Sequence, residues 1–270
     1  MTIHINPISP IAFSVFGLDV RWYALAYVVA FIAGYYLFRH FMKQPDSRLR
    51  LTHKNLDDLL TITILGVIIG GRLGYVLLYN LPYFMRNPLE IFAVWHGGMS
   101  FHGGLIGVFI AVLLFSYSRK INPWRILDLM AVVVPIGLFV GRIANFINME
   151  VMGRPTSMPW GVVFNGTDSV PRHPSPLYEA GLEGVALFVL MLYLYRRTDL
   201  RRWPGALAGI LAMGYATARI ICEHFRAPDP QIGFLTTWGL TMGQLLSGIM
   251  FFAGAAVFLI AFRRKRAKMS

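Results

Sequence analysis

Long apolar runs alternate with short polar or basic connections along the whole chain. Residues 22–38, 59–79, 126–147, 177–195, 206–222 and 242–262 each form such a run. Another, third in chain order, begins in the glycine-rich stretch WHGGMSFHGGLIG and extends to residue 115. A helix needs about 17–25 predominantly apolar residues to cross a bilayer, so the pattern predicts about seven transmembrane helices. Residues 11–22 (IAFSVFGLDVRW) alternate loosely, which fits either a short hairpin or an interfacial segment. Residues 80–92 (NLPYFMRNPLEIF) combine prolines and aromatics suited to the membrane–water interface. Residues 149–176 form the longest polar connection and are rich in turn formers, so a small extracytoplasmic head is expected there. The fold class is thus all-α: a polytopic helical membrane protein, one integral membrane domain over 1–270 with the head inserted at 149–176.

Composition sharpens this. Charged residues make up 14% of the chain and hydrophobic ones 56%, whereas a soluble domain carries about 25% charged residues. The formal charge of +12 raises the question of nucleic acid. No nucleic-acid partner is expected, because the basic residues sit in short clusters between apolar runs, as topology signals do. One side collects Arg39, Lys43, Arg48, Arg50, Lys54, Arg119, Lys120, Arg125, Arg196, Arg197, Arg201, Arg202, Arg263, Arg264, Lys265, Arg266 and Lys268. The other collects Arg21, Arg86, Arg154, Arg172 and Arg226. This split predicts an extracytoplasmic N-terminus and a cytoplasmic C-terminus. Cys222 is the single cysteine, so no intrachain disulfide is possible, and inert packing at a helix end is expected of it. The start MTIHINPISP has no basic n-region and is not expected to be a cleaved signal peptide.

Arg72, Arg142 and Arg219 are left at membrane depth. An arginine there is costly unless it meets an anion, a carbonyl or trapped water. In GRIANFINMEVMGR (141–154), Arg142, Asn145 and Asn148 recur every third residue and share a helix face. Glu150 falls off that face, so the helix is expected to end near Asn148. The alternative is a helix-end arginine snorkelling to the headgroups, but the accompanying asparagines favour a binding site. Tyr215, Arg219, Glu223 and Arg226, spaced four, four and three apart, form a second polar stripe. A purely internal Arg219–Glu223 pair is the competing reading. Two guanidiniums at similar depth call for an anion between them, and phosphate suits their forked donors. His102 carries an imidazole, a side chain able to accept or donate a proton, and stands among glycines that allow close approach, though a lone membrane histidine is often a packing residue. No HExxH occurs and the histidines lack ligand spacing, so no metal is expected.

The 141–154 stretch resembles the signature of bacterial prolipoprotein diacylglyceryl transferases, G-R-x-[GA]-N-F-x-N-x-E-x-x-G. Gly141, Arg142, Ala144, Asn145, Phe146, Asn148, Glu150 and Gly153 occupy its fixed positions. The block MSFHGG is also family-like, and its histidine, His102, matches one with an important role. Arg21-Trp22-Tyr23 resembles a segment whose tyrosine is functional, pointing to Tyr23. Arg219 matches an essential arginine. PRHPSPLYE (171–179) is similar to a segment usually written RHPSQLYE, with Pro176 in place of glutamine while His173, Tyr178 and Glu179 remain.

The resemblance implies transfer of the diacylglyceryl group of phosphatidylglycerol onto the lipobox cysteine of a prolipoprotein signal peptide. A thioether forms and glycerol phosphate leaves, in the first step of lipoprotein modification at the bacterial cytoplasmic (inner) membrane. No cofactor is implied; the partners are phosphatidylglycerol, the precursor and membrane lipids. Catalytic roles fall to His102, Arg142, Arg219 and Tyr23. Substrate contacts fall to Arg142, Arg219, Asn145, Asn148, Glu150, Gly153, Tyr215, Glu223 and Arg226. The arginines would hold phosphate, and His102 is the candidate base, with Tyr23 or Glu150 open as sharers. A transporter is the rival of another class, against which the runs are expected to lack a carboxylate relay. A lipid-binding scaffold without turnover is the third reading.

Overall fold

The computed structural model describes residues 3–15, 17–44, 47, 49–165, 169–228, 233–237 and 239–267. Arg48, Lys268 and head residues 166–168 lie outside the described residues. The chain begins with strand β1 (Ile3–Ile5) and a hairpin of β2 (Ile11–Val15) and β3 (Leu18–Arg21). Of the two options for residues 11–22 the hairpin is the one present, antiparallel, with Ser14 opposite Asp19. Helices α1 (Trp22–Met42) and α2 (His53–Leu78) follow. Short α3 (Leu81–Arg86) and 3-10 turns at Pro88–Phe92 and Val94–His96 fill the proline- and aromatic-rich connection. Then come α4 (Phe101–Ser118), α5 (Pro123–Ile147) and β4 (Val162–Phe164). The next span, Ser175–Arg197, is composite: α6 (Ser175–Glu179), a π-helical stretch (Ala180–Ala186) and α7 (Leu187–Arg197). Helices α8 (Ala206–Glu223) and α9 (Met242–Arg266) complete the chain.

Six of these spans are long and apolar enough to cross a membrane, and α4 is a shorter apolar helix. That matches the expected all-α polytopic fold of about seven helices. Many large apolar side chains stay exposed, among them Ile32 at 54%, Leu78 at 71% and Phe252 at 74%. Apolar side chains exposed in such number would be a liability in water; in lipid they are the solvent-facing side of a multi-pass membrane protein. Side chains at the helix starts satisfy amides that have no intrahelical partner. Thr52 accepts from the Asn55 amide, Ser100 from Gly103, and Thr241 forms a reciprocal capping box with Gln244.

The chain divides into two compact units, residues 42–127 and residues 1–41 with 128–270. In the first, α2 and α4 approach through glycines. A Cβ on Gly66 would lie 2.8 Å from the Gly107 carbonyl, and one on Gly74 would lie 2.7 Å from Gly103 Cα. Small residues let membrane helices gain packing and weak polar contact where lipid offers no hydrophobic drive. Arg72, buried in α2, donates to the carbonyls of Glu90, Ile91, Ala93, Gly97 and Gly98 and stacks 5.0 Å from the Phe84 ring centroid. One guanidinium thus holds the irregular connection in place, and the carbonyls meet its demand for counter-charge.

In the second unit, β1 pairs in parallel with β4, tying the start of the chain to the head segment. Helices α8 and α9 meet where Gly209 and Gly254 face each other's carbonyls. Asp128 on α5 accepts from the Gly205 and Ala208 amides and so caps α8 across the fold.

The α2–α4 contact separates two neighbouring glycines. A Cβ on Gly103 would collide with the Gly70 carbonyl, whereas one on Gly104 meets only the Val67 carbonyl at 3.6 Å. Gly103→Ala should lower thermal stability in detergent by about 1–3 kcal/mol through forced separation of the helices. Gly104→Ala should be neutral or stabilising, since alanine favours helix by about 1 kcal/mol. Equal melting shifts for the two variants would show that the glycine contact does not hold α2 to α4.

Candidate active site

Four pieces of chain meet around a group of buried charges. Arg142 comes from the last turns of α5, Glu179 from the end of α6 and Glu183 from the π-helical stretch. Arg219 and Glu223 come from α8, and Arg226 follows it. Arg142 Nε and Nη2 donate to one oxygen of Glu183 at 3.1 and 2.9 Å, and its Nη1 lies 2.9 Å from Glu179. Arg219 Nη1 donates to Glu179 at 2.5 Å, and its Nη2 lies 2.9 Å from Glu223. Arg226 Nη1 donates to Glu179 at 3.3 Å. The side chains of Glu179 and Glu183 are 0% exposed. A carboxylate held this deep costs several kcal/mol in desolvation unless paired and hydrogen-bonded, and each of these has at least two arginine contacts.

Arg142 and Arg219 both meet carboxylates of the protein itself, Glu179 and Glu183. The apolar runs, expected to lack a carboxylate relay, do contain carboxylates: Glu179 and Glu183 fall within 177–195 and, with Glu223 just past the run 206–222, form one connected network with the arginines. Sequence reasoning counted Glu179 as a retained family position and passed over Glu183. The available signal was their four-residue spacing inside an apolar run, since an ionisable residue there marks a site or an ion pair. The internal Arg219–Glu223 pair weighed above is present, but as one edge of the larger network.

Glycines allow the charges to come together. Gly184 lies against Phe139 of α5, where a Cβ would sit 2.6 Å from the phenylalanine Cβ. Gly243, in the first turn of α9, would place a Cβ 2.8 Å from the Glu223 carboxylate. The π-helical turn lies in the same segment; such turns recur at functional sites. Tyr215, one turn before Arg219, is close enough to Glu183, Arg142 and Arg219 to interact with them electrostatically.

Beyond Arg142, α5 ends at Ile147, as the helix-end expectation required. Glu150 does not stay off the polar face. Its two oxygens accept from Asn145 Nδ2 at 3.0 Å and Asn148 Nδ2 at 3.3 Å. Met149 and Val151 flank it with φ of 55° and 59°, the left-handed region that β-branched residues rarely enter. The left-handed Met149 turns the chain back at the end of α5, with the Glu150 amide donating to the Asn145 carbonyl, and this brings Glu150 to a helix face that regular geometry denies it. The result is an exposed carboxylate held by two amides.

Gly153 is wedged between the His173 and Phe225 backbones, with no room for a Cβ. This packing accounts for the glycine without a ligand. Arg154 Nε donates to the Arg226 carbonyl at 2.8 Å, and its Nη2 donates to the Glu223 carbonyl at 3.4 Å, at the open end of α8. His173, Tyr178 and Phe225 form an aromatic cluster. Trp160 Nε1 donates to the Tyr178 hydroxyl at 2.7 Å, and the same hydroxyl is hydrogen-bonded to His173 Nδ1 at 3.1 Å. Pro176, where glutamine is customary, is buried at the second position of α6, where its missing N–H costs nothing.

Tyr23 lies in the first turn of α1, 37% exposed and edge-on to Tyr27. His102 is an exposed residue in the first turn of α4, within the unit of residues 42–127. Its neighbour Gly103 is used for contact with α2, so that glycine has a packing cause of its own.

The family described as Prolipoprotein diacylglyceryl transferase matches residues 10–260. The chain belongs to this family. It is 50% identical over 259 residues to the phosphatidylglycerol--prolipoprotein diacylglyceryl transferase of Rhodospirillum rubrum, covering 96% of this chain and 94% of the relative. It is 51% identical over 261 residues to the protein of that name from Azospirillum brasilense, covering 96% of each. The Methylocella silvestris protein of that name is 48% identical over 261 residues, covering 96% and 95%. In this family member the charge network, the Asn145–Glu150–Asn148 clasp and the aromatic cluster all lie within the matched residues.

The aromatic cluster carries a pH prediction. Burial lowers the His173 pKa from its ordinary value, which favours the neutral ring beside Tyr178. The folded state therefore resists protonation, and stability is lost as pH falls below the unfolded value of ~6.5. The melting temperature should drop between about pH 7 and about pH 5, and His173→Asn should flatten part of that drop. Parallel curves for both proteins would remove the Tyr178–His173 bond as a pH-sensitive contact.

Proposed function

We propose that the chain transfers the diacylglyceryl group of phosphatidylglycerol to the lipobox cysteine of a prolipoprotein signal peptide. As a member of its family it is a membrane-embedded transferase acting on phosphatidylglycerol and prolipoprotein. The observation that carries the residue assignment is the convergence of Arg142 and Arg219, from separate spans, on shared buried carboxylates. In the reaction the cysteine sulfur attacks the glycerol carbon that bears phosphate. The C–O bond breaks and its electrons pass to the phosphate oxygen. Charge on the leaving glycerol phosphate grows from one to two negative units while the thiol proton goes to a base. Fixed guanidiniums stabilise charge that develops in this way.

His102 is assigned as the base on chemistry and family resemblance, with Tyr23 and Glu150 as sharers. Asn145 and Asn148 hold Glu150 at the polar end of α5, where substrate contact is proposed. The basic asymmetry supports a cytoplasmic C-terminus, an extracytoplasmic N-terminus and an extracytoplasmic head at 149–176.

Incubation of purified protein with phosphatidylglycerol and a lipobox peptide, followed by mass measurement, tests the activity. The peptide should gain one diacylglyceryl group with release of glycerol phosphate; binding without release would favour a scaffold. Arg142→Lys and Arg219→Lys keep the charge but lose the planar fork. Each should lose most transfer while inserting normally. A near wild-type rate in either would leave that arginine structural.

His102→Asn preserves hydrogen bonding but takes no proton, and a general base contributes ~10²–10⁴-fold. The variant-to-wild-type rate ratio, with lipid saturating, should rise toward the thiol pKa of about 8.5, because higher pH supplies thiolate unaided. A flat ratio would sink the base assignment and leave the transferase reading intact.

A further inference from the structure

Among the described residues, the charge network holds three arginines and three glutamates that contact one another. Fully ionised, it is neutral. Glu179 is its hub: one oxygen takes Arg219 and Arg226, and the other lies against Arg142. Both oxygens are sealed from solvent, and the side chain is 0% exposed. Arg142 meets carboxylate at all three of its nitrogens. A lipid phosphate reaching these arginines enters a network already balanced, and it competes with a carboxylate for the same forked donors.

We infer that Glu179 is a positioning residue: an internal counter-anion that aims Arg142 and Arg219 and competes with the lipid phosphate for them, so that it weakens lipid binding while supporting turnover. The inference rests on the proposed phosphate role of Arg142 and Arg219. The same carboxylate that lowers affinity fixes the direction of both forks. Binding energy withheld from the bound lipid is then available as charge builds on the leaving group, when the phosphate becomes the stronger of the two competitors. Glu183 acts in the same sense on Arg142 alone at hydrogen-bond distance, since its approach to Arg219 is 3.9 Å.

Glu179→Gln keeps size and removes one negative charge. A residue that merely holds the fold would change the amount of active protein, reducing kcat and leaving KM for phosphatidylglycerol unchanged. The inference expects a split. KM, measured as mole fraction of phosphatidylglycerol in mixed micelles, should fall on the order of tenfold as one competing charge-assisted contact is lost. At the same time kcat should fall on the order of 10²-fold as the forks lose their aim. Product inhibition by glycerol phosphate should tighten in parallel with KM.

Glu183→Gln is the second variant, needed if Glu179→Gln does not insert stably, and should show the same split with smaller amplitude. An unchanged or raised KM in the variants that fold overturns the inference, as does wild-type turnover. Failure of both variants to insert also overturns it, because the carboxylates would then be structural first. Arg142→Lys in the same assay separates the two ideas. If it loses transfer while Glu179→Gln shows no fall in KM, only the counter-anion role fails. If Arg142→Lys transfers at the wild-type rate, the phosphate reading fails and the inference goes with it.

Discussion

A guanidinium inside a membrane-spanning helix keeps its charge at any accessible pH, so the fold must bring it a partner. This chain meets that demand in two ways. Arg72 is surrounded by backbone carbonyls of an irregular segment, which gain donors they would otherwise lack. Arg142 and Arg219 are matched by carboxylates from another span. The first solution spends the arginine on holding backbone in place. The second keeps three charged spans together through groups that can exchange one anion for another, and it is the one suited to a phospholipid substrate.

The close helix contacts follow from that pairing. Charged side chains of limited length can meet only if their backbones come near. Gly184 against Phe139 and Gly243 against Glu223 provide that approach within the charge network. Breaking one partner of a buried pair typically costs about 3–5 kcal/mol, because the other is left uncompensated. The glycines are therefore coupled to the charges: a side chain at Gly243 would displace the Glu223 carboxylate and loosen Arg219 with it.

The spans were legible because lipid leaves few choices: a run of about 20 apolar residues has to be helical and has to close its own hydrogen bonds. The hairpin at residues 11–22 was legible as one of two options, and Ser14–Asp19 pairing decides it. Arg142, Arg219, Glu223 and Arg226 could be singled out from spacing and depth, and the structure brings them together. What spacing does not reveal is the partner across the fold. Periodicity places residues on the face of one helix and is silent on which helices face each other, so the arginines looked as though they awaited an external anion. The meeting of Glu150 with the two asparagines was hidden for a related reason. Helical periodicity stops at Ile147, and the left-handed Met149, which no spacing rule anticipates, returns the Glu150 carboxylate to Asn145 and Asn148.

The neutrality of the network bears on how such a site can favour a transition state over a bound lipid. Arginines with nothing beside them would hold a singly charged phosphodiester tightly, and that affinity would do nothing for the chemical step. Displacing the C–O bond adds a second negative charge to the departing phosphate. Donors shared with Glu179 and Glu183 respond to that change, since an anion that gains charge draws N–H groups from one that does not. The guanidiniums need not travel to do this, because each has five N–H donors and is already held by carboxylates on fixed spans. Buried countercharge thus serves the fold at rest and lets the electrostatic stabilisation be greatest where the leaving group forms.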